Sequence, residues 1–219
     1  MIVASLALAH SAVAQDVVRP GDLHETDLGG CTLGFVFDGT GALAGRVYMS
    51  TAAHCVEGVG DEARLEDGEL LGEAVLVGDQ DATADDYALI AVRPGLVARV
   101  AAGMRGNEAY PRGGHTTPAE TGTGDALQLS GYGIGFDVTP VTRQGRAGVL
   151  TADDDGTYSA LATLIFGDSG GPLAHVPTGK ALGTVSRLCI GLCQAEGPTV
   201  QGIVAKAAAR GFTVRLRTV

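Results

Sequence analysis

Basic residues are scarce in this chain of 219 residues. Lysine and arginine together number 15 against 25 aspartates and glutamates, which gives a formal net charge of −10 at pH 7. Only Lys180 and Lys206 are lysines. Because the phosphate backbone of a nucleic acid requires a basic face, this balance argues against a nucleic-acid partner.

Regular repeats are also missing from the sequence. No internal repeat of fixed period and no coiled-coil heptads occur. Apolar residues nevertheless make up 45% of the chain and charged residues 18%. That composition supports a buried core and argues against a disordered chain.

The first fourteen residues, 1–14, predict a secretion signal. Ile2–Ala9 is a short apolar run, and Ala12–Ala14 is a small-x-small pattern before a cut at Gln15. The run is far shorter than the roughly 20 residues of a membrane span. No basic residue precedes it, so the alternatives are an upstream start codon, an atypical signal, or a buried N-terminal element. We expect a secreted protein with no membrane attachment after signal removal.

Four cysteines in a chain expected to be exported favour two disulfide bonds. They are Cys31, Cys55, Cys189 and Cys193, and three connectivities are open in principle. The spacing of the last two, with His175 nearby, is also compatible with zinc. Because no second ligand cluster supports such a site, we expect no metal.

Short apolar stretches broken by glycine-rich turns predict an all-β protein, and 34 glycines fit many tight turns. The predicted strands are Leu33–Phe37, Gly45–Ser50, Glu73–Val77, Tyr87–Val92, Ala126–Leu129, Arg146–Leu150, Leu161–Ile165 and Ala181–Ser186. A helix is predicted only at about Val200–Arg210, where apolar residues share one face and Gly211 follows the end.

Two motifs far apart in the chain carry candidate catalytic chemistry. Gly167–Pro172 sets Ser169 before two glycines, and Thr51–Cys55 sets His54 beside a cysteine. The serine motif also satisfies Gly-x-Ser-x-Gly, the nucleophile elbow of α/β-hydrolases. An elbow serine requires a histidine well downstream, whereas His175 follows too closely and no strand-and-long-helix alternation is present. The elbow interpretation therefore fails.

The opposite order, with the histidine upstream of the serine, also provides a carboxylate for a catalytic triad. Asp86 lies between the two motifs and begins a short apolar strand, which would bury its carboxylate beneath a histidine. We prefer it over Asp85 because it directly precedes the Tyr-Ala-Leu run. His54, Asp86 and Ser169 then have the residue types of a general base, an orienting carboxylate and a nucleophile.

On these residues the chain resembles the chymotrypsin-type (trypsin-like) serine proteases, and it looks most similar to the short secreted bacterial members. Thr51–Cys55 matches the family's histidine motif, Asp86–Leu89 its aspartate motif and Gly167–Pro172 its serine motif. The resemblance covers roughly residues 30–198. It implies two packed antiparallel six-stranded β-barrels with the active site between them and a short C-terminal helix.

The expected organisation follows from this resemblance and from Pro94–Gly124, a stretch poor in apolar runs and rich in glycine, proline and threonine. After the signal, the segments are 15–29 (N-terminal segment), 30–105 (first barrel), 106–124 (connection), 125–200 (second barrel) and 201–219 (helix and tail).

The resemblance also implies roles for individual residues. His54 should take the proton of the Ser169 hydroxyl and return it to the leaving group, while Asp86 holds the imidazole in the required tautomer. The backbone N–H groups of Gly167 and Ser169 should form the oxyanion hole. The implied disulfides are Cys31–Cys55 and Cys189–Cys193.

Substrate preference is expected to depend on Thr163, six residues before the serine. An aspartate there would select lysine or arginine, and threonine cannot, so we expect a pocket for uncharged, small-to-medium apolar side chains. Phe166 and Thr199 are further candidate pocket residues. Ser186–Leu188 matches the segment that pairs with the substrate backbone, and Arg187 stands where the family usually has an aromatic residue.

The family's activating terminus, which pairs with the aspartate before the serine, has no counterpart in this sequence. That aspartate is Asp168. We therefore expect an internal arginine, Arg143 or Arg146, to neutralise it.

These observations predict a secreted, monomeric serine endopeptidase that acts on a protein or peptide substrate through an acyl-enzyme and needs no cofactor. A catalytically weak homologue that acts as a binding module is the alternative. A hydrolase of non-peptide esters is a third possibility that the same residues permit.

Overall fold

The chain folds into two antiparallel β-sheets and one α-helix. The computed structural model describes residues 16–133, 145–154, 156–187 and 191–219, the side chains of 191–193 excepted. These residues contain fourteen strands, β1 to β14, and the helix α1 (Val200–Ala209). The all-β prediction is confirmed, and so is the short helix near the C-terminus.

The first sheet has eight strands within the described ranges, in the order β14-β3-β4-β7-β6-β5-β1-β2. Their bounds are β1 (Leu23–Thr26), β2 (Gly29–Thr32), β3 (Val36–Gly39), β4 (Val47–Thr51), β5 (Glu62–Leu65), β6 (Leu70–Val77), β7 (Ala88–Val92) and β14 (Val214–Leu216). Six strands were expected. The two additional ones are β1, from the N-terminal segment, and β14, from the C-terminal tail, which pairs with β3.

The second sheet has six strands, as expected, in the part of the chain that the structure describes. Their order is β12-β11-β8-β9-β10-β13. The bounds are β8 (Ala126–Leu129), β9 (Arg146–Asp154), β10 (Thr157–Leu164), β11 (Pro172–His175), β12 (Lys180–Thr184) and β13 (Gly191–Pro198).

Every apolar stretch predicted as a strand overlaps an observed strand, but β1, β2, β5, β11, β13 and β14 were not predicted. Two of these contain residues of low strand propensity. β2 begins with two glycines, and β13 contains two glycines and ends in proline. Pairing with a neighbouring strand, rather than local propensity, makes such segments extended.

The helix α1 begins at an N-cap, Thr199, whose hydroxyl accepts a hydrogen bond of 3.0 Å from the backbone N–H of Gly202. One face of α1 is buried, with Ile203 and Ala207 fully enclosed. No helix among the described residues has the length and apolar character to cross a membrane.

Each sheet has a hydrophobic core of its own, and a further cluster joins the two sheets to α1. In this joining cluster, Phe37 and Tyr48 of the first sheet pack with Ala174 and Ala181 of the second sheet and with Ile203 of the helix. The shared packing fixes the two sheets relative to each other, which matters because the candidate catalytic residues come from both.

Candidate active site

His54 and Asp86 come from neighbouring elements of the first sheet. His54 lies in a short 3₁₀ turn, Ala53–Cys55, directly after β4, and Asp86 lies just before β7. Because β4 and β7 are hydrogen-bonded neighbours, their ends bring the two side chains together. The His54 Nδ1 atom lies 2.8 Å from Asp86 Oδ2, and the backbone N–H of His54 donates to Asp86 Oδ1 at 3.1 Å.

The surroundings of Asp86 keep its carboxylate charged. Its side chain is 1% exposed, and the Ser186 hydroxyl, from the second sheet's side of the cleft, donates to Oδ2 at 2.5 Å. Burial by itself raises the pKa of Asp86, but the hydrogen bonds from His54 and Ser186 outweigh burial and lower the pKa below its ordinary value. Since an ionised carboxylate only accepts, this hydrogen bond places a proton on His54 Nδ1, and in the neutral imidazole Nε2 then has a free lone pair.

The turn that carries Ser169 is held by backbone hydrogen bonds. The N–H of Gly170 donates to the carbonyl of Val185 at 2.6 Å, and the N–H of Gly171 donates to the carbonyl of Asp168 at 2.8 Å. Gly170 has a φ of +85°, and a Cβ there would lie 2.3 Å from the carbonyl oxygen of Thr32. Glycine is therefore required at this position both for the backbone conformation and for the close approach of β2.

Thr32, at the end of β2, fastens the serine turn to the first sheet. Its backbone N–H donates to the carbonyl of Ser169 at 2.8 Å, and its hydroxyl donates to the carbonyl of Gly167 at 2.6 Å. The same hydroxyl accepts from the N–H of Tyr132 at 3.0 Å. Thr32 was not predicted as a functional residue. The only feature of the sequence that could have indicated it is its position beside Cys31, and the strand that contains both was not predicted.

Two backbone N–H groups of the turn are available to a ligand. Those of Gly167 and Ser169 have no acceptor among the described residues. Gly167 has a φ of +93°, and its carbonyl is held by Thr32. A pair of unused donors beside a candidate nucleophile is the arrangement that an oxyanion requires.

A cavity of about 450 Å³ contains these groups. The described residues that line it are Leu28, Gly29, Gly30, Cys31, His54, Cys55, Phe166, Gly167, Ser169, Ser186 and Arg187. A larger cavity of about 650 Å³ lies elsewhere, beside Val17, Arg99 and Tyr132. His54 and Ser169 line the smaller cavity and not the larger one, so we take the smaller cavity as the candidate active site.

The Ser169 hydroxyl makes no hydrogen bond to any described residue, His54 included. Catalytic hydrogen bonds of ligand-free proteins are often long and tighten only when substrate binds. The side chain of His54 is 35% exposed and lines the same cavity as Ser169.

Asp168 forms a bidentate ion pair with Arg146. Arg146 Nη1 donates to Asp168 Oδ2 at 2.6 Å and Nη2 donates to Oδ1 at 2.5 Å, while the N–H of Ile165 also donates to Oδ2. The Asp168 side chain is 0% exposed and that of Arg146 is 10% exposed. Of the two arginines considered from the sequence, Arg146 is the partner, and Arg143 lies outside the described residues.

Comparison with known proteins found two curated relatives, both from Mycobacterium tuberculosis. They are serine protease MT3772 of strain CDC 1551 / Oshkosh and serine protease Rv3671c of strain ATCC 25618 / H37Rv. Each is 31% identical over 158 residues, which are 68% of this chain and 36% of the relative. The chain therefore spans about a third of the length of these relatives. No protein-family model matches the chain.

Two crystal structures of the Rv3671c protease, both in an inactive form, share the fold. One matches with a TM-score of 0.54 and 21% identity over 86% of this chain and 87% of that chain. The other, a serine-to-alanine mutant, matches with a TM-score of 0.52 and 19% identity over 86% and 85%. The all-β fold, the order of the three motifs and the name that the relatives share all point to a serine protease. The chain is a relative of known serine proteases, and its fold and ordered motifs are consistent with the chymotrypsin-type family.

Two of the expected pocket residues, Thr163 and Thr199, are not among the described residues that line the cavity. Thr163 lies near the end of β10, where strand alternation buries Ala162 and Leu164 and turns Thr163 outward. Its carbonyl accepts from Arg146 at 3.1 Å. Thr199 is 5% exposed and serves as the N-cap of α1. Their assignment to the substrate pocket stays a prediction.

Of the other expected site residues, some line the cavity and some lie outside the described residues. Phe166, Ser186 and Arg187 line the cavity, although the Ser186 hydroxyl is used to hold Asp86. Leu188 lies outside the described residues, as does Cys189, so the expected Cys189–Cys193 bond has no structural description.

The Cys31–Cys55 disulfide that the family resemblance implied is present, and it joins β2 to the turn that carries His54. His24 lies close to both sulfur atoms. Since the two sulfurs are bonded to each other, they offer no thiolate ligands, and this group does not form a metal site as it stands. His175 is engaged by Asp125 at 2.9 Å and by Thr178 at 2.9 Å.

Proposed function

We propose that this protein is a serine endopeptidase that hydrolyses peptide bonds through an acyl-enzyme intermediate. The observation that carries the proposal is the presence of His54 and Ser169 in the lining of one cavity. Behind them the buried, ionised Asp86 is bound to His54 Nδ1, which leaves Nε2 for the proton of the Ser169 hydroxyl.

The proposed reaction begins when His54 Nε2 takes the proton of Ser169 Oγ as that oxygen attacks the carbonyl carbon of the peptide bond. His54 becomes an imidazolium, whose charge Asp86 stabilises through the Nδ1 hydrogen bond of 2.8 Å. The imidazolium then protonates the leaving amine. Water, deprotonated by the same His54, hydrolyses the ester on Ser169 and completes the cycle.

The oxyanion of each tetrahedral intermediate would be bound by the N–H groups of Gly167 and Ser169. Their freedom from other acceptors within the described chain supports this role. Removal of one such donor typically lowers kcat by about 10²–10³.

For the residue before the cleaved bond we propose an uncharged side chain. Support comes from the lining of the cavity, because no described residue that lines it has a carboxylate. A lysine or arginine side chain would therefore find no carboxylate among these described residues. Cleavage strictly after lysine or arginine in a peptide-library profile would contradict this preference.

We also propose that the chain is exported. The signal-like residues 1–14 support export, and so does the Cys31–Cys55 disulfide, since such bonds persist in oxidising compartments.

The proposed activity is tested by labelling the protein with a fluorophosphonate probe and mapping the modified peptide. We expect an adduct on Ser169 that is absent in His54→Ala. His115→Ala is a matched control and should leave labelling intact, because within the described chain the His115 ring bonds only the carbonyl of Thr116 and does not line the cavity. Absence of labelling in the folded wild-type protein would overturn the proposal.

The alternative is a catalytically weak homologue that acts as a binding module. It is favoured by one observation, the lack of a hydrogen bond between Ser169 and His54. Under this alternative, labelling of Ser169 would be slow and insensitive to His54→Ala.

A further inference from the structure

Arg187 gives the candidate active site a fixed positive charge. Among the described side chains that line the cavity, it is the only one that is cationic at every working pH. The whole chain has a formal net charge of −10, so this charge stands out against an acidic background. Arg187 is exposed and can therefore meet a ligand in the cavity.

The position of Arg187 is fixed by contacts with two elements. Its backbone N–H donates to the carbonyl of Glu196 at 2.9 Å, and its carbonyl accepts from the N–H of Glu196 at 3.1 Å. Its Nη2 atom donates to the backbone carbonyl of Asp81 at 2.6 Å. Asp81 lies in the loop between β6 and β7 that leads to Asp86. The guanidinium is thus held next to the loop that supplies the candidate catalytic carboxylate.

Only one of the guanidinium's five N–H groups is used in this way, and none donates to a carboxylate of a described residue. The nearby acids of the loop have other partners. Asp79 Oδ1 accepts from the N–H of Asp81, Asp85 pairs with Arg210, and Asp86 is bound to His54. The charge of Arg187 therefore lacks a carboxylate counter-ion within the described part of the chain.

We infer that Arg187 forms a subsite for an acidic side chain of the substrate, aspartate or glutamate, close to the cleaved bond. The inference rests on the proposed peptidase function and adds a substrate class to it. A planar guanidinium with unused N–H groups matches a carboxylate in both charge and geometry. The acidic side chain is distinct from the uncharged one that precedes the cut.

The test compares internally quenched peptides with both termini blocked, so that only side-chain charge varies. Glutamate, glutamine and lysine are placed in turn at each position around one cleavable bond. At one position we expect kcat/KM to be roughly three- to fivefold higher for glutamate than for glutamine, the size of an exposed ion pair. High salt should reduce this ratio towards one.

Two variants test whether the Arg187 side chain causes the preference for glutamate. Arg187→Gln should abolish the difference between glutamate and glutamine, and Arg187→Glu should favour lysine at that position. Arg93→Gln is the matched control, because it removes the same charge from an exposed arginine outside the cavity. It should keep the wild-type preference.

The outcomes separate the two proposals. Equal kcat/KM for glutamate and glutamine at every position, or a preference that survives Arg187→Gln, would overturn the acidic subsite while the peptidase function stands. Failure of Ser169 to react with the fluorophosphonate probe would overturn the peptidase function itself, and the acidic subsite with it.

Discussion

Arg210, the residue directly after helix α1, donates a hydrogen bond of 2.5 Å to Oδ2 of Asp85, which is next to the candidate catalytic Asp86. The same guanidinium donates to the Tyr87 hydroxyl at 3.3 Å and lies 5.9 Å from the centre of its ring. Burial raises the pKa of Asp85, but hydrogen bonds from Arg210 and the N–H of Asp79 outweigh it and lower the pKa. Both neighbours of Asp86 are therefore held by one side chain.

Arg210→Ala should lower kcat by about 10- to 100-fold with little change in KM, because displacement of Asp86 would misorient the base without touching substrate. Kinetics with a peptide or ester substrate, below the onset of thermal unfolding, measure the effect. Arg210→Lys should restore part of the rate. Lys206→Ala is the control, since the Lys206 ammonium lies 3.7 Å from Asp85 and is 37% exposed. An unchanged kcat in Arg210→Ala would contradict a positioning role.

Arg146→Ala should destabilise the protein, because it leaves the fully buried charge of Asp168 without its partner. Breaking a buried ion pair in this way costs about 3–5 kcal/mol. The rate at which Ser169 reacts with the fluorophosphonate probe should fall as well, because Asp168 lies between the two residues whose N–H groups form the proposed oxyanion hole. Urea unfolding and probe labelling measure the two effects.

The double variant Arg146→Ala/Asp168→Asn removes the unpaired charge and should recover part of the lost stability. Arg143→Ala, at the other arginine that the sequence offered as a partner of Asp168, is measured for comparison. If Arg143→Ala proved as damaging as Arg146→Ala, the assignment of Arg146 as the functional partner would be wrong.

Thr32→Val should lower kcat by roughly tenfold, because the hydroxyl that orients the Gly167 carbonyl at 2.6 Å is lost while the side-chain shape is kept. The N–H of Tyr132 also loses its acceptor. Thr116→Val is the matched control, a buried threonine whose hydroxyl bonds the carbonyl of Ala181 at 3.4 Å. Equal kcat values for the two variants would show that Thr32 has no special influence on the serine turn.

His24 should make the fold sensitive to mild acid. It is fully buried, and burial lowers its pKa from 6.5 to about 4. Its Nε2 bonds Thr51 at 2.7 Å, and its Nδ1 has no partner among the described atoms. Below pH 6.5 the unfolded chain takes up a proton that the folded chain refuses, so stability should fall by about 3 kcal/mol as the pH drops to about 4.

Urea unfolding of wild type and His24→Gln across this pH range measures the contribution of His24. Glutamine can donate to Thr51 but does not titrate, so the variant should lose less stability on acidification. Parallel pH dependences of the two proteins would exclude His24 as the source.

The outer motifs of the candidate site could be predicted because their chemistry requires particular residue types. The glycines around Ser169 permit backbone conformations and close contacts that other residues do not, and Gly170 illustrates both. Asp86 could be preferred over Asp85 because the strand begins directly after it. In the structure the two aspartates point to different partners, His54 and Arg210.

Other parts could not be predicted, because they depend on which strands become neighbours. Thr32 reaches the serine turn only because β2 of the first sheet lies against it, although the two are more than a hundred residues apart in sequence. The place of Thr163 in β10, exposed between the buried Ala162 and Leu164, likewise depends on strand pairing and not on its distance from Ser169.

The sequence by itself determined the all-β class and the identity and order of the residues proposed to do the chemistry, since these follow from residue type and local pattern. Only the tertiary structure decided that Arg146 pairs with Asp168, that Arg210 holds the neighbours of Asp86, and that Arg187 enters the cavity. The physical reason is that each of these contacts joins elements distant in sequence, so its geometry exists only after the two sheets and the helix have packed.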